Sequence, residues 1–249
     1  MSKTLNKIHN IARSMIGLDP VYSFSPLHMT NGHISIINIS GILGKRISAD
    51  EKDDGKIDVD DITDALKVAA TADTEVVILW INSPGGTSTG IDELGQHIKN
   101  LTLIKPVLTF TDTICASAAM WLASCTNGIY LTPTAEVGSI GVYAKVVDMS
   151  ENLALQGVNV QVFSAGDQKT MGQAERPLTE EECKLIQSDI DAQWLKFKTL
   201  VTDNRGEVKE ENMQGQLFTG ESAVAVNLAD KVVLDFPTLL SEITTQITI

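Results

Sequence analysis

Along the chain, β-type runs of apolar residues alternate with segments in which apolar residues recur every three or four positions. His33–Ile39 alternates and is rich in β-branched residues, which predicts a strand that ends at Gly41. Glu75–Ile81 is almost continuously apolar, as a strand buried on both faces of a parallel sheet requires. Pro106–Thr111 and Gly128–Leu131 predict two further strands. With helical segments between them, these strands predict one α/β domain.

Helices are predicted in several segments between these strands. The first is expected to run from a cap at Asp60 or Asp61 to about Ala72, with a buried face of Ile62, Ala65, Leu66 and Ala69. Helices are also expected at 89–100 and 150–156. Thr179 and Glu182 have capping-box spacing and predict a helix that reaches about Thr202, with buried candidates Ile186, Ile190, Leu195 and Leu200.

The other segments predict loops, turns and short strands. The charge-rich segment 45–58 is expected to be a mobile, solvated loop. A glycine-punctuated turn at 136–142 is expected to lead into a strand, and 158–163 predicts another strand before a loop at 164–172. Toward the end of the chain we expect a hairpin-like turn at 215–220, a last helix at 221–228 and a strand at 231–234.

The N-terminal residues 1–17 predict an amphipathic helix and not a secretory signal, because their apolar residues recur at helical spacing. A loop is expected from Pro20 to Asn31. Residues 1–30 are thus predicted as an N-terminal helix and loop, and residues 31–249 as a single domain. No run of about 18 apolar residues occurs in the sequence, so no transmembrane segment is expected.

Composition and charge narrow the classes of function. Of the 249 residues, 43% are hydrophobic and 20% are charged, as in an ordinary globular protein. The net charge of −13 repels the negatively charged phosphate backbone of a nucleic acid, so no nucleic-acid partner is expected. The cysteines, Cys115, Cys125 and Cys183, lack the spacing of a disulfide framework or a zinc site. We therefore expect no structural metal, and reduced thiols in a cytoplasmic location.

Candidate chemistry lies where the strand predicted at 106–111 gives way to small residues around Ser117 and then to the helix-like Met120–Ala123. A serine at such a strand–helix corner has its Oγ at the positive end of the helix dipole, beside backbone N–H groups with no partner inside the helix. That environment favours developing negative charge. Small residues at a strand–helix junction are also typical of close packing, so the corner alone does not define a catalytic site.

A second turn, Asn82–Gly86, follows the preceding strand. Gly85 and Gly86 allow positive φ and leave backbone N–H groups uncovered, so the turn can present a donor to an oxyanion or a phosphate. After a right-handed crossover, the strand at 106–111 would lie parallel and adjacent to the strand before this turn, which brings Ser117 beside the two glycines. Ligands of open α/β sheets bind at such strand C-termini.

A serine nucleophile needs a neighbouring proton acceptor, usually His or Lys. All four histidines precede Ser117, which excludes a triad in the order Ser, His, Asp, and His97 is expected near the far end of a helix. The downstream lysines from 184 to 209 lie on or after a charged helix and are interpreted as solvated. Lys145 and Lys169 both follow glycine-containing loops, and composition does not choose between them.

Several motifs resemble, in order and spacing, the serine peptidases of the signal peptide peptidase A family. They are INSPGG at 81–86, KPV and CASAAMWLA within 105–123, GSIGVY at 138–143, and SAGDQKTMG at 164–172 with RPLTEEE after it. The closing GQLFTGESAVAVNLADKV is also similar, so the resemblance covers about residues 32–235. Within the family, the chain is most similar to the phage head-maturation (prohead) proteases, because GHISIINISGIL begins almost at once with no membrane anchor before it.

The resemblance implies the fold shared by the Clp protease subunit and crotonases, in which β-β-α or βαβ units place helices around a mixed, largely parallel sheet. It implies a Ser–Lys dyad with Ser117 as the nucleophile, Lys169 as the general base and Ser139 as the hydroxyl that orients the lysine amine. The implied oxyanion donors are the N–H groups of Ala118 and Gly86, with Gly85 as the second choice for the glycine. Each such donor lowers the barrier by about 3 kcal/mol in studied enzymes.

The resemblance also implies a function and partners. The expected activity is hydrolysis of peptide bonds in capsid or scaffold proteins during phage head maturation, in the host cytoplasm or within a prohead, without a cofactor or metal. Family members assemble into rings or domes, so we expect a homo-oligomeric ring in which Lys169 serves its own or a neighbouring protomer. The alternatives are a bacterial cytosolic peptidase that degrades signal peptides, a catalytically idle assembly or scaffold subunit, and a crotonase-type acyl-CoA enzyme, which would need a carboxylate pair and a CoA-binding signature.

Overall fold

The computed structural model describes residues 27–247 of the chain. The described residues form two compact units, the first made of residues 27–140 and 200–247 and the second of Gly141–Thr199. The helix predicted at 1–17 and most of the loop predicted after it lie outside the described residues. A single domain over residues 31–249 stays a prediction.

In chain order, the described strands are β1 (His28–Asn31), β2 (Ile34–Ser40), β3 (Ile42–Gly44), β4 (Lys56–Asp58), β5 (Val76–Asn82), β6 (Val107–Thr111), β7 (Ile114–Ala116), β8 (Gly128–Leu131), β9 (Glu136–Gly138), β10 (Leu217–Thr219) and β11 (Lys231–Val232). The described helices are α1 (Ala49–Asp53), α2 (Val59–Thr71), α3 (Ile91–Thr102), α4 (Ala118–Ser124), α5 (Ser150–Leu155), α6 (Glu180–Arg205), α7 (Gly220–Ala225) and α8 (Phe236–Ile247). A 3₁₀ turn covers Glu210–Asn212.

The main sheet of the first unit has the strand order β1–β2–β5–β6–β8–β11, and only β1 runs antiparallel to its neighbour. On one face, Ile34 and Ile36 of β2 belong to a core cluster with Phe236 of α8. Ile37 and Ile39, whose side chains point to the other face, are equally buried. A sheet that is covered on both faces needs apolar strands, so the predicted α/β fold with a mixed, largely parallel sheet is confirmed.

A smaller sheet, in the order β10–β9–β7, positions the residues that follow its strands. β7 and β9 run parallel with Ala116 beside Gly138, and β10 pairs antiparallel with β9. Ser117 and Ser139 are therefore the first residues after two neighbouring parallel strands. The sequence did not predict β7, because three residues beside a run of small side chains carry too little pattern to be recognised as a strand.

The segment 45–58, predicted as a mobile loop, contains α1 and β4. Ser48 and Glu51 form a capping box at the start of α1, and β4 pairs in parallel with β3. The prediction was wrong because the capping-box spacing at 48–51 lies among charged residues that resemble a solvated loop.

The cap of α2 is Asp58, and not Asp60 or Asp61 as predicted. The buried carboxylate of Asp58 accepts a hydrogen bond from the N–H of Asp60, and the same carboxylate accepts from the N–H groups of residues 46 and 47. A capping residue is extended and lies before the first helical turn, which Asp58 satisfies as the last residue of β4. The predicted buried face, Ile62, Ala65, Leu66 and Ala69, is confirmed.

In the second unit, α5 and the start of α6 lie where helices were predicted, and Thr179 and Glu182 form the expected capping bonds. The strand predicted at 158–163 is wrong, as is the strand expected after the turn at 136–142. Strands need neighbours for their backbone groups, and the described part of this unit supplies none. Leu195, expected to be buried, is 61% exposed.

β1 and α8 were missed. β1 occupies the last four residues of the loop predicted from Pro20 to Asn31 and pairs with β2. In α8, Leu239, Leu240 and Ile243 are buried. Their helical spacing is present in the sequence after the last predicted strand, but no helix was predicted from it.

Candidate active site

Ser117 occupies a strained corner between β7 and α4, with φ 54° and ψ −123°. Its N–H donates to the carbonyl of Gly138 at 2.9 Å, and its own carbonyl accepts from the N–H of Trp121 at 3.0 Å. Its Oγ makes no capping hydrogen bond to the helix, and the residue is half-buried. A non-glycine residue held in such a conformation costs on the order of 1–3 kcal/mol. The hydroxyl therefore does not cap the helix, which is the usual role of a serine at a helix start.

The glycine turn after β5 packs directly against this corner. Gly85 has φ 97°, and a Cβ built on it would lie 2.7 Å from Ser117 Cβ and 2.9 Å from the backbone N of Ala118. A side chain at position 85 would thus collide with the serine and with the first residue of α4. The expected proximity of Ser117 and the glycine turn is what the structure contains.

The two glycines have different hydrogen bonds. The N–H of Gly85 donates to the Oγ of Ser83 at 3.1 Å, and its carbonyl accepts from the N–H of Leu43 at 2.8 Å. Among the described residues, the N–H of Gly86 has no acceptor. The N–H of Ala118 is in the same state, as expected for the first residue of a helix. The geometry therefore favours Gly86 over Gly85 as an oxyanion donor, and the assignment itself stays a prediction.

Ser139 leaves the neighbouring strand at the same edge as Ser117. It has φ 51°, and its N–H donates to the carbonyl of Gln216 at 2.6 Å. Gly138, the residue before it, pairs in register with Ala116 and accepts the N–H of Ser117. Each of the two serines thus directly follows one member of the pair Ala116 and Gly138, and both serines have positive φ. The role of Ser139 in orienting a lysine stays a prediction.

Lys169 lies in the second unit, on an exposed turn in which its N–H donates to the carbonyl of Gly166 at 3.1 Å. Lys145, the alternative that the composition left open, is also exposed and in the same unit. The pairing of Lys169 with Ser117 stays a prediction.

Two residues near the corner were not singled out from the sequence. Ser83 is fully buried and fixes Gly85 through its Oγ. Leu43 of β3 bonds to the turn on both sides, because its N–H donates to Gly85 and its carbonyl accepts from Thr87 at 3.0 Å. A serine two residues before a glycine is a usual turn signal, whereas the contact with Leu43 is long-range and has no local signature.

Cys115 is a neighbour of Ser117 in sequence, but it is not a candidate nucleophile. Burial raises the pKa of its thiol well above the usual range, so the thiolate does not form near neutral pH. Burial also raises the pKa of Cys125 to about 12. Over residues 27–247, no cluster of three or more His, Cys, Asp and Glu side chains could hold a metal ion. The helices in this range include none that combines the length and apolar character needed to cross a membrane.

The family model for "Peptidase family S49" matches residues 99–241, which is more than half of the chain. The chain belongs to peptidase family S49, and the predicted resemblance to the signal peptide peptidase A peptidases is confirmed. The matched residues include α4 and the turn that carries Lys169.

Two relatives come from phages. The chain is 31% identical over 209 residues to "Head-tail preconnector protein GP5" of enterobacteria phage P21, covering 82% of this chain and 41% of that protein. It is 27% identical over 203 residues to "Capsid assembly protease C" of Escherichia phage lambda, covering 80% of this chain and 46% of that protein. The chain thus spans less than half the length of these two relatives.

Among solved structures, a mutant of a membrane-bound stomatin-specific protease is similar, with a TM-score of 0.56 and 13% sequence identity. The match covers 86% of this chain and 85% of the other. At this identity the likeness concerns the fold, and it supports the predicted Clp-protease and crotonase type of architecture.

Proposed function

We propose that this chain is a serine endopeptidase in which Ser117 and Lys169 form the catalytic dyad. The amine of Lys169 takes the proton of Ser117 Oγ as that oxygen attacks the carbonyl carbon of the scissile bond. The N–H groups of Gly86 and Ala118 stabilise the negative charge on the carbonyl oxygen. The intermediate then expels the amine of the substrate, which receives the proton from Lys169. Water, deprotonated by the same lysine, hydrolyses the acyl ester on Ser117 and completes the cycle.

The observation that carries this proposal is the corner at Ser117. Its backbone has a costly conformation, its hydroxyl is not used as a helix cap, and two N–H groups beside it have no acceptor among the described residues. A corner that serves only for packing has no need of these three features together. Oxyanion donors of this kind contribute about 3 kcal/mol each in studied enzymes.

Ser139 has the third role in the proposed mechanism. Its Oγ would hydrogen-bond the amine of Lys169 and orient the lone pair toward Ser117. Its support is positional, because Ser139 follows Gly138 on the strand next to that of Ser117. We therefore assign it as a positioning residue of the dyad.

The proposed oligomer is a homo-oligomeric ring. Its support is the set of large apolar side chains that the second unit leaves exposed, of which Tyr143, Leu155 and Phe163 are each 88–89% exposed. In such an assembly, Lys169 can serve Ser117 of its own or of a neighbouring protomer.

We further propose that the substrates are capsid or scaffold proteins, cleaved during phage head maturation in the host cytoplasm or in a prohead. The support is that the two phage relatives, one of them named as a capsid assembly protease, match four-fifths of this chain. A bacterial peptidase that degrades signal peptides is the second candidate, since a relative from Enterococcus faecium that is 28% identical over 178 residues is named "Putative signal peptide peptidase SppA". A catalytically idle assembly subunit is the third.

The test uses the wild type and three variants, Ser117→Ala, Lys169→Ala and Lys145→Ala, each incubated with candidate capsid and scaffold proteins as substrates. We expect Ser117→Ala and Lys169→Ala to reduce cleavage to a low residual rate with an unchanged circular dichroism spectrum, and Lys145→Ala, which changes an exposed lysine of the same unit, to remain active. Mass spectrometry of the fragments reports the cleavage. Full activity in Lys169→Ala would refute the dyad, and wild-type protein that a fluorophosphonate fails to label at Ser117 would indicate the idle subunit.

A mixture of the two inactive variants separates the two arrangements of the dyad. If Lys169 acts on a neighbouring protomer, mixed oligomers of Ser117→Ala and Lys169→Ala subunits regain part of the activity. If it acts within one chain, the mixture stays inactive.

A further inference from the structure

Arg176 opens the RPLTEEE segment and has no part in the mechanism proposed above. Its guanidinium forms a bidentate ion pair with Glu182, with Nη1 at 2.8 Å from Oε2 and Nη2 bonded to Oε1. Nη2 also donates to both the carbonyl and the Oγ1 of Thr170, each at 3.1 Å. Thr170 is the residue directly after Lys169. One planar side chain thus joins the start of α6 to the turn that carries the proposed base.

The other backbone hydrogen bonds of that turn are short-range. The N–H of Lys169 donates to Gly166, and the N–H of Met171 donates to Gln168 at 3.2 Å, and both are bonds inside the turn itself. Lys169 is exposed, and no strand of the described residues pairs with this segment. Local turn bonds do not fix the direction of a loop relative to a neighbouring helix. The contacts from Arg176 to Thr170 join the turn itself to the start of α6, whereas the N–H of Met149, which donates to the carbonyl of Ala174 at 2.7 Å, ties only the segment after the turn to the start of α5.

The anchor at the other end of the clamp is rigid. Glu182 is 6% exposed, and its carboxylate also accepts the N–H of Thr179 in the capping box of α6. The hydrogen bond from Arg176 lowers the pKa of Glu182 to about 2, and the same bond raises the pKa of Arg176. The ion pair is therefore charged throughout the neutral range, and its fork geometry is one that lysine cannot reproduce.

We propose that Arg176, anchored by Glu182, is a positioning residue that holds the Thr170 backbone and thereby the amine of Lys169 in the place where it acts as general base. This role rests on the proposed Ser117–Lys169 dyad. Arg176 touches neither substrate nor the reacting atoms and acts only through Lys169. A displacement of about 1 Å at a catalytic group can reduce the rate by a factor on the order of 100, so a loop clamp of this kind affects the chemical step more than substrate binding.

The first arm of the test does not depend on activity. A protease needs an extended segment of substrate, so we expect trypsin to cut after Lys169 when the turn opens, and the rate of this cut then measures the clamp. We expect Arg176→Gln to speed cleavage at this bond by about tenfold or more, as judged by the usual dependence of proteolysis on local opening. Glu182→Gln, which keeps a capping side chain at the start of α6 but weakens the ion pair, is expected to have a smaller effect in the same direction. Arg205→Gln, which breaks the Arg205–Asp230 pair elsewhere in the chain, is expected to leave this bond unaffected.

The second arm measures peptide hydrolysis in a double-mutant cycle. We expect Arg176→Gln to lower kcat by about tenfold to a hundredfold with KM within about twofold, the range for a misplaced catalytic group. In the Lys169→Ala background, the same substitution is expected to change the residual rate by less than about twofold, because a residue that acts through Lys169 has nothing left to position. A general loss of stability would lower the activity in both backgrounds alike.

The outcomes separate this role from the dyad itself. Arg176 has no positioning role if trypsin cleaves after Lys169 at the wild-type rate in Arg176→Gln, or if that variant keeps full kcat while Lys169→Ala is inactive. Equal losses from Arg176→Gln in both backgrounds overturn it as well. Full activity of Lys169→Ala refutes the dyad, and with it a base for Arg176 to position.

Discussion

The corner at Ser117 and the turn at Lys169 hold their functional side chains by different means. At the corner, backbone contacts hold Ser117 in place, because its main chain hydrogen-bonds to Gly138 and Trp121 and it packs against Gly85. At the turn, the lysine is exposed and its neighbour Thr170 is held by the side chain of Arg176. Backbone ladders tolerate almost no displacement, whereas a side-chain clamp can open and close. The proposed nucleophile and oxyanion donors are thus built into the sheet, and the proposed base is the adjustable part.

Two glycines with nearly the same backbone angle allow this difference to be measured. Gly85 has φ 97° beside Ser117, and Gly166 has φ 96° in the turn of Lys169. A Cβ on Gly85 would meet three backbone or side-chain atoms within 2.9 Å, whereas a Cβ on Gly166 would meet nothing within 4 Å. Substitution by alanine therefore adds the same backbone strain at both sites and a collision at only one.

The largest effect is expected for Gly85→Ala. The strain of a positive φ costs about 1–2 kcal/mol and overpacking adds about 1–3 kcal/mol, so the free energy of unfolding should fall by about 2–5 kcal/mol. Because Ser117 or Ala118 must move to make room, hydrolysis should fall by at least about a hundredfold. Urea unfolding and peptide hydrolysis measure the two effects.

Gly166→Ala is the matched control. It should lose only the strain part, about 1–2 kcal/mol, and retain most of its activity. Equal losses of stability and activity in the two variants would show that the corner is no more rigid than the turn, which would contradict the distinction between them.

A smaller effect is expected for Ser83→Ala. Its Oγ accepts the N–H of Gly85, and without it a buried donor remains unpaired, at a cost of about 1–3 kcal/mol. The glycine turn loses one of its bonds, so we expect activity to fall by about tenfold, a part of what an oxyanion donor contributes. Thermal unfolding and kcat test this.

Ser124→Ala serves as the control, because Ser124 is also fully buried. Its Oγ donates to the carbonyl of Met120 one turn earlier in α4. Alanine is the better helix former and leaves no unpaired N–H, so this change should cost less than about 1 kcal/mol and leave kcat unchanged. If Ser124→Ala lost as much activity as Ser83→Ala, the result would contradict a specific role of the glycine turn in catalysis.

The central strands of the main sheet could be predicted from the sequence because they are rich in apolar and β-branched residues, as strands buried on both faces must be. β2, β5, β6 and β8 lie where they were expected. Two of the failures have a clear local cause. In 158–163 the pattern of a strand is present but no partner strand exists in the described part of its unit, and in 45–58 the charges of α1 concealed its capping box. Pairing is a property of the whole fold, which a local pattern does not contain.

For the candidate site, the order of the motifs in the sequence predicted Ser117, Gly85 and Ser139 as site residues. The contacts that distinguish the two glycines could not be predicted in this way. The bond from Gly85 to Ser83 is local, but the bond from Leu43 to Gly85 joins residues far apart in sequence. The sequence motif RPLTEEE contains Arg176 but does not predict its proposed role. That role depends on a guanidinium that contacts both Thr170 and Glu182.

The smallest effect concerns pH and compares two capping boxes in which a glutamate is paired with a cation. Hydrogen bonds lower the pKa of Glu182 to about 2 through Arg176, and that of Glu51 to about 2 through Lys56. A carboxyl whose folded pKa is depressed adds stability above its unfolded value of about 4.3, and this stability is lost as the pH falls toward about 2. The side chain of Glu182 is 7% exposed and that of Glu51 is 41% exposed, so solvent screens the second pair far more.

We therefore expect the thermal stability of the wild type to fall between about pH 5 and pH 2, and Glu182→Gln to flatten this dependence more than Glu51→Gln does. Thermal unfolding across this range measures both variants against the wild type. The same pH window should release the turn of Lys169, because a protonated Glu182 no longer anchors Arg176. If Glu51→Gln flattened the curve as much as Glu182→Gln, burial would not distinguish the clamp of Lys169 from an ordinary surface cap, and the turn would owe its position to its own local bonds.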